Sequence, residues 1–82
     1  MVVVKLFATL RGRTGEKELH IEAGSVEEVF KFLSSKFGKE LQKHLDNATV
    51  LVNGQNISQL KGRKTSLQPG DEVSLFPPLG GG

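Results

Sequence analysis

Val26, Val29, Phe30, Leu33 and Phe37 recur at helical spacing, and this apolar stripe is the strongest constraint on the fold. Ser25 followed three residues later by Glu28 forms a capping box that opens the helix, and Gly38 ends it as the residue just past the last turn. Glu27, Lys31 and Ser34 fall on the face expected to meet water. A helix with one apolar stripe must lay it against another layer, so the rest of the chain has to supply that layer.

The rest reads largely as strand. Residues 2–10 (VVVKLFATL) are rich in β-branched and aromatic residues with apolar side chains on both faces, the pattern of a central strand. Arg11-Gly12-Arg13-Thr14-Gly15 supplies turn chemistry, and residues 16–22 then alternate. Leu19 and Ile21 lie on one face, with Glu18, His20 and Glu22 on the other, so the two strands are expected to form a hairpin. Leu41 and Leu45 predict that residues 39–47 pack as an irregular turn or short helix. Residues 48–52 (ATVLV) read as a third strand, Asn53-Gly54 as a tight hairpin turn, and residues 55–57 as a short return strand. Residues 58–68 read as loop, Pro69-Gly70 as a turn, and residues 72–76 (EVSLF) as a last strand. One main helix over one face of a mixed sheet of about five strands is an α+β chain in the β-grasp arrangement. Residues 1–77 form this domain, and residues 78–82 an extended functional tail.

Composition narrows the chemistry. A chain of 82 residues has room for one small core but not for a deep enclosed active site, so catalytic pockets are expected to belong to partners and the chain to be no enzyme. A formal charge of +2, basic residues scattered apart from Arg11/Arg13 and Lys61-Gly62-Arg63-Lys64, and the absence of Tyr and Trp argue against nucleic acid. No run has the apolar length of a membrane span. Met1-Val2-Val3-Val4 turns charged at Lys5 without a cleavage pattern, so a cytoplasmic location is expected. The absence of cysteine excludes disulfides, thiolate catalysis and cysteine-ligated metal.

The histidines and acids add no site. His20 and His44 lack companions at metal-ligand spacing and read as solvated surface residues, so no metal is expected. Asp71 and Glu72 are strand neighbours that point to opposite faces, which makes them a turn feature and not an acid/base dyad. Gly12 and Gly15 precede no helix N-terminus and form no phosphate loop.

The end of the sequence, Pro77-Pro78-Leu79-Gly80-Gly81-Gly82, is different. Two prolines lack N–H donors, so the sheet must stop there and the chain must leave it extended. Four further residues reach roughly 13–14 Å, and the glycines present only backbone width, so the strip can thread a narrow channel. It delivers the Gly82 α-carboxylate, ionised at neutral pH and without neighbouring Cβ bulk. Such a carboxylate can be activated as an acyl-adenylate by a partner holding ATP.

Gly70-Asp71-Glu72-Val73-Ser74-Leu75-Phe76-Pro77-Pro78-Leu79-Gly80-Gly81-Gly82 resembles the closing signature of the small subunit of molybdopterin synthase (MoaD), within the MoaD/ThiS ubiquitin-like sulfur carrier superfamily. The opening Val4-Lys5-Leu6-Phe7-Ala8-Thr9-Leu10-Arg11 resembles that family's first strand, and Val52-Asn53-Gly54 its central hairpin, so the likeness spans essentially the whole chain. Leu79 stands where the family usually has Val, and the loop 58–68 is longer and more basic than typical. The resemblance implies that a ubiquitin-activator-like adenylyltransferase (MoeB-like) uses ATP to adenylate Gly82, and that a persulfide donor converts the adenylate to a thiocarboxylate. The molybdopterin synthase large subunit (MoaE-like) would then take the tail, with Leu79, Gly80 and Gly81 threading its active site, to sulfurate a pterin precursor. The carrier itself binds no cofactor on this reading. Family likeness also places partner docking beside the tail, at Phe7, Arg11 and Phe76, with Leu6, Ala8, Val73 and Leu75 serving the core from the opposite face.

The same activated carboxylate would serve a ubiquitin-like protein modifier, which forms an isopeptide bond to lysine, or a carrier that donates sulfur to tRNA. A plain interaction module with a disordered tail is the third reading, and it alone would keep its function after loss of Gly81 and Gly82.

Overall fold

A computed structural model describes residues 1–78. Five strands form one mixed sheet: β1 (Val2–Leu6), β2 (Glu18–Ile21), β3 (Thr49–Val52), β4 (Gln55–Asn56) and β5 (Glu72–Phe76), in the order β2-β1-β5-β3-β4. β1 and β5 run parallel at the centre, while β1 with β2, β5 with β3, and β3 with β4 are antiparallel. Three helices accompany them: α1 (Thr9–Thr14), α2 (Val26–Phe37) and α3 (Lys39–Asp46). This is the β-grasp fold that the pattern predicts, with α3 lying beside α2.

Strand alternation decides which face is covered. Val2, Val4 and Leu6 of β1, Ile21 of β2, Val50 and Val52 of β3, and Val73 and Leu75 of β5 point to one side, where Val26, Val29, Phe30 and Leu33 of α2 and Leu41 and Leu45 of α3 complete the core. The residues between them, among them Lys5, Leu51, Ser74 and Phe76, lie on the open face and are half-buried. Helix α2 starts as its sequence requires: the Glu28 amide donates to Ser25 Oγ at 3.2 Å, and Glu28 Oε1 accepts from the Gly24 amide at 3.1 Å. Gly38, at φ 100°, accommodates the turn into α3, and its N–H donates to the Ser34 carbonyl at 2.9 Å.

Several expectations change. The strand expected over residues 2–10 ends at Leu6, because Ala8 takes φ 52° and ψ −127°, which no ladder accommodates. The chain then coils into α1, which sinks Leu10 completely into the core, so Arg11-Gly12-Arg13-Thr14 are helical and only Gly15, at φ 74°, turns the chain toward β2. Ala8 itself is exposed and adds nothing to the core. Of the irregular turn or short helix expected over residues 39–47, the structure shows the helix, because burying both Leu41 and Leu45 requires helical spacing. Glu27 and Ser34 are half-buried and not fully solvated.

The segment 58–68 is likewise not a plain loop. It contains one-turn 3-10 helices at Ile57–Gln59 and Gly62–Lys64, with Leu67 buried. Arg63 pins it: its guanidinium lies 4.5 Å from the centre of the Phe30 ring, with Nη2 2.6 Å from Asp46 Oδ1 and Nε 3.5 Å from Glu27 Oε2. Among the described residues no helix is long and apolar enough to cross a membrane.

Candidate functional site

The parallel pairing of β1 with β5 brings the ends of both strands to one edge of the open face. The Phe7 amide donates to the Leu75 carbonyl at 3.2 Å, which sets Phe7 beside Phe76. Their rings stack with centroids 4.4 Å apart and planes within 9° of parallel. Because Leu6, Val73 and Leu75 already fill the core side, neither ring sinks inward, and both remain half-buried. A near-parallel stack of this kind is a stiff apolar surface with few degrees of freedom to lose on contact.

The bend at Ala8 supplies the third residue. It reverses the chain into α1, so that Arg11 folds back with Cζ 5.8 Å from the Phe7 ring centre while its Nε donates to the Leu6 carbonyl at 3.2 Å. Phe7, Arg11 and Phe76 thus come together at one edge of the open face. Only one guanidinium nitrogen is used by that bond, and the residue is exposed beside the stack.

From the same edge Pro77 and Pro78 carry the chain away from the sheet, just beyond the pairing of Phe76 with Thr49. Leu79, Gly80, Gly81 and Gly82, the tail positions of the sequence reading, lie outside the described residues. On the far side of Pro78 is a groove of about 430 Å3 lined by Lys43, His44, Asn47 and Pro78. His44 is therefore half-buried beside the tail's base, not a plain solvated residue. Sequence reading could not find this groove, since only the packing of α3 brings residues 43–47 to the end of β5. His20 is on the open face and lies 2.8 Å from Glu18 Oε2. No cluster of metal ligands occurs among the described residues.

At the opposite end of β5, Asp71 holds the strand's start. Asp71 Oδ2 accepts from the Gln68 amide at 2.8 Å and Oδ1 from Asn53 Nδ2 at 3.0 Å, while Asn53 Oδ1 accepts from the Glu72 amide at 2.9 Å. The Gln68 backbone bond first, and then the Asn53 amide, hold the Asp71 carboxyl below its ordinary value. Asn53 and Gly54 take φ 51° and 85°, the positive values that a two-residue hairpin turn needs. Glu72 pairs with Lys5 across β1 and β5 at 3.1 Å. The Asp71-Glu72 pair is therefore structural, as the strand geometry predicts.

The body is a ubiquitin-like β-grasp that the chain leaves through two prolines beside a half-buried aromatic stack. The chain belongs to the ThiS family, which it matches over residues 4–82. It is 33% identical over 75 residues to the "Putative sulfur carrier protein" of Archaeoglobus fulgidus, covering 83% of this chain and 85% of that one. The solution structure of small archaeal modifier protein 1 from Methanosarcina acetivorans superposes with a TM-score of 0.88 at 33% identity, covering 99% of this chain and 95% of that one. A chain in the complex of subunits 1 and 2 of the molybdopterin-converting factor from Helicobacter pylori gives 0.69 at 27% identity, covering 99% and 97%.

Proposed function

We propose that this chain is a sulfur carrier for molybdopterin (molybdenum or tungsten cofactor) synthesis, working through the Gly82 carboxylate. A carboxylate oxygen attacks the α-phosphorus of ATP held by an adenylyltransferase, and pyrophosphate leaves. The terminal sulfur of a persulfide donor then attacks the acyl carbon and AMP leaves. A second thiol cleaves the resulting acyl disulfide, which leaves the thiocarboxylate on Gly82. The large synthase subunit would receive the tail, with Leu79, Gly80 and Gly81 along its channel, and transfer the sulfur to the pterin precursor.

The observation that carries this reading is the position of the Phe7–Phe76 stack and Arg11 at the edge where Pro77 and Pro78 leave the sheet. A partner that binds the stack is placed to receive the tail, and the chain has no cysteine to compete for the activated acyl group. Similarity to subunits of a molybdopterin-converting factor supports the recipient. The second reading, a protein modifier that joins Gly82 to a lysine, is favoured by the likeness to a small archaeal modifier.

Electrophoresis through a gel containing an organomercury compound tests the proposal, because in a chain without cysteine retardation reports a thiocarboxylate. A retarded band that disappears on deletion of Gly82 is expected after incubation with the organism's own activating enzyme, ATP and a persulfide donor. An unretarded band under those conditions, with higher-mass lysine conjugates in its place, would establish the modifier reading instead.

A further inference from the structure

We propose that the segment after β4 is a docking surface for an acidic segment of another protein that carries one aliphatic side chain. β4 is the last strand on its side of the sheet, and β3 lies between it and β5, which carries Phe76. Thr65 and Leu67, both buried, tie the segment down: the Val26 amide donates to the Thr65 carbonyl at 3.1 Å, and the Leu67 amide to the Gly24 carbonyl at 3.0 Å. The Thr65 hydroxyl accepts from the Lys61 amide at 3.1 Å and donates to the Gly62 carbonyl at 2.6 Å, while the Leu60 amide donates to the Ile57 carbonyl at 3.0 Å. Residues 57–65 are therefore a preset surface, with little backbone left to order on contact.

On this surface lies a groove of about 440 Å3 lined by Gln59, Leu60, Lys61, Thr65 and Ser66. Leu60 is 37% exposed and takes no part in the core, although Ile57 packs against that core and Leu67 is buried in it. A lone exposed leucine is ordinary. This one forms the apolar wall of a groove, where a partner's aliphatic side chain would take it out of water.

Charge selects the occupant. No aspartate or glutamate occurs between Asp46 and Asp71, and no carboxylate lines the groove. The nearby acids Asp46 and Glu27 are both engaged by Arg63. Lys61 and Lys64, by contrast, are exposed and have no carboxylate within ion-pair distance among the described residues. The Lys64 amide donates to the Lys61 carbonyl at 3.1 Å, and side chains three apart in such a 3-10 turn share a side. An apolar wall beside two uncompensated cations is complementary to carboxylates that flank an apolar side chain. A nucleic acid matches less well, because bases stack on aromatic rings and none lines the groove. The surface uses neither Phe7, Arg11, Phe76 nor the tail, so it stands whatever recipient Gly82 serves, and it would allow one protein to hold the carrier while another takes its tail.

The test is an amide NMR titration of the full chain with an acetylated, amidated peptide of one leucine between two runs of glutamate. The largest shifts are expected at Leu60, Lys61, Lys64 and Ser66. Replacing the peptide's leucine by serine, or its glutamates by glutamines, should each weaken binding roughly tenfold. Leu60→Ser and the pair Lys61→Glu/Lys64→Glu, all at exposed positions, should do the same from the carrier's side, with the amide signals of β1 and β5 unmoved. Deletion of Gly82 should leave binding unchanged. Absence of shifts at millimolar peptide, or binding indifferent to the peptide's leucine, overturns the proposal. So does tighter binding of an oligouridylate, which assigns the lysines to nucleic acid, or self-association without peptide that Leu60→Ser abolishes, which assigns the groove to a second copy.

Discussion

Phe7 and Phe76 stack with near-parallel rings 4.4 Å apart although the core beneath them is already closed by Leu6, Val73 and Leu75. The stack is therefore surplus to what the core requires on that side of the sheet, and under the proposed function it would present rigid aromatic surface where Pro77 and Pro78 leave the sheet. Phe7→Ala and Phe76→Ala should each leave a folded protein, at a cost of about 1–2 kcal/mol. Their double-mutant cycle in urea should give a coupling of about 0.5–1.5 kcal/mol. Affinity for the protein that receives the tail should fall about 30-fold for either variant, the loss typical of a hot spot. Calorimetry showing unchanged affinity for both would remove the stack from the interface.

Arg63 should matter to stability and not to sulfur transfer. Its side chain is 41% exposed, so each ion pair is worth about 0.2–1 kcal/mol and the contact with Phe30 about 0.5–1 kcal/mol. Arg63→Ala should lower the unfolding free energy by about 1–2 kcal/mol, and Arg63→Lys should recover little, because an ammonium cannot lie flat on the ring while reaching both Glu27 and Asp46. Urea denaturation checks this, with thiocarboxylate formation expected to stay at its original level. A variant as stable as the parent would show that the segment 58–68 is held without Arg63, by buried Thr65 and Leu67 and their backbone bonds to Val26 and Gly24.

These two positions mark where sequence reading works and where it stops. The outward placement of Phe76 follows from alternation with Val73 and Leu75, and helix α2 follows from a stripe that has no other use, so both were legible. Arg63 was not: a basic residue in a polar stretch carries no local sign that Phe30, Glu27 and Asp46 converge on it. The end of β1 was also hidden, since Phe7, Ala8, Thr9 and Leu10 all suit a strand and only the demand to bury Leu10 bends the chain. The Lys43–His44 groove beside Pro78 depends on how α3 packs, which no spacing encodes. The end of β5 at Phe76 was legible, because Pro77 and Pro78 fix φ and offer no N–H to a ladder.

Asp71 should make stability fall in acid. Its folded-state carboxyl is held below the ordinary value of 3.8 by the Gln68 and Asn53 donors, so the folded state prefers the ionised form more than the unfolded state does. That contribution is fully present above the unfolded value and is lost as the pH falls through the lower, folded value. Asp71→Asn should therefore be less stable than the parent at pH 7, with the gap closing as the pH drops below about 4. Unfolding curves at pH 7, 5 and 3 measure the gap. A difference that stays constant over this range would mean that the carboxylate charge contributes nothing to holding the start of β5.

Ala8 offers the most direct check on the bend that creates the site. At φ 52° and ψ −127° its Cβ is strained, and conformations of this kind cost about 1–3 kcal/mol. Replacing Ala by Gly ordinarily destabilises by about 0.4–1 kcal/mol through the entropy of the unfolded chain. Relief of strain should outweigh that cost here, so Ala8→Gly should be more stable by about 1 kcal/mol, which for a domain of this size raises Tm by about 4–8 °C. Ala8→Val should shift Tm the other way, since a β-branched residue tolerates positive φ least. Because Ala8 is exposed, neither change disturbs packing, and the glycine variant should keep Arg11 over Phe7 and bind the tail's receiver as before. If glycine lowered Tm while valine left it unchanged, the chain would continue as a strand past Leu6, and Arg11 would lie too far along to reach the aromatic stack.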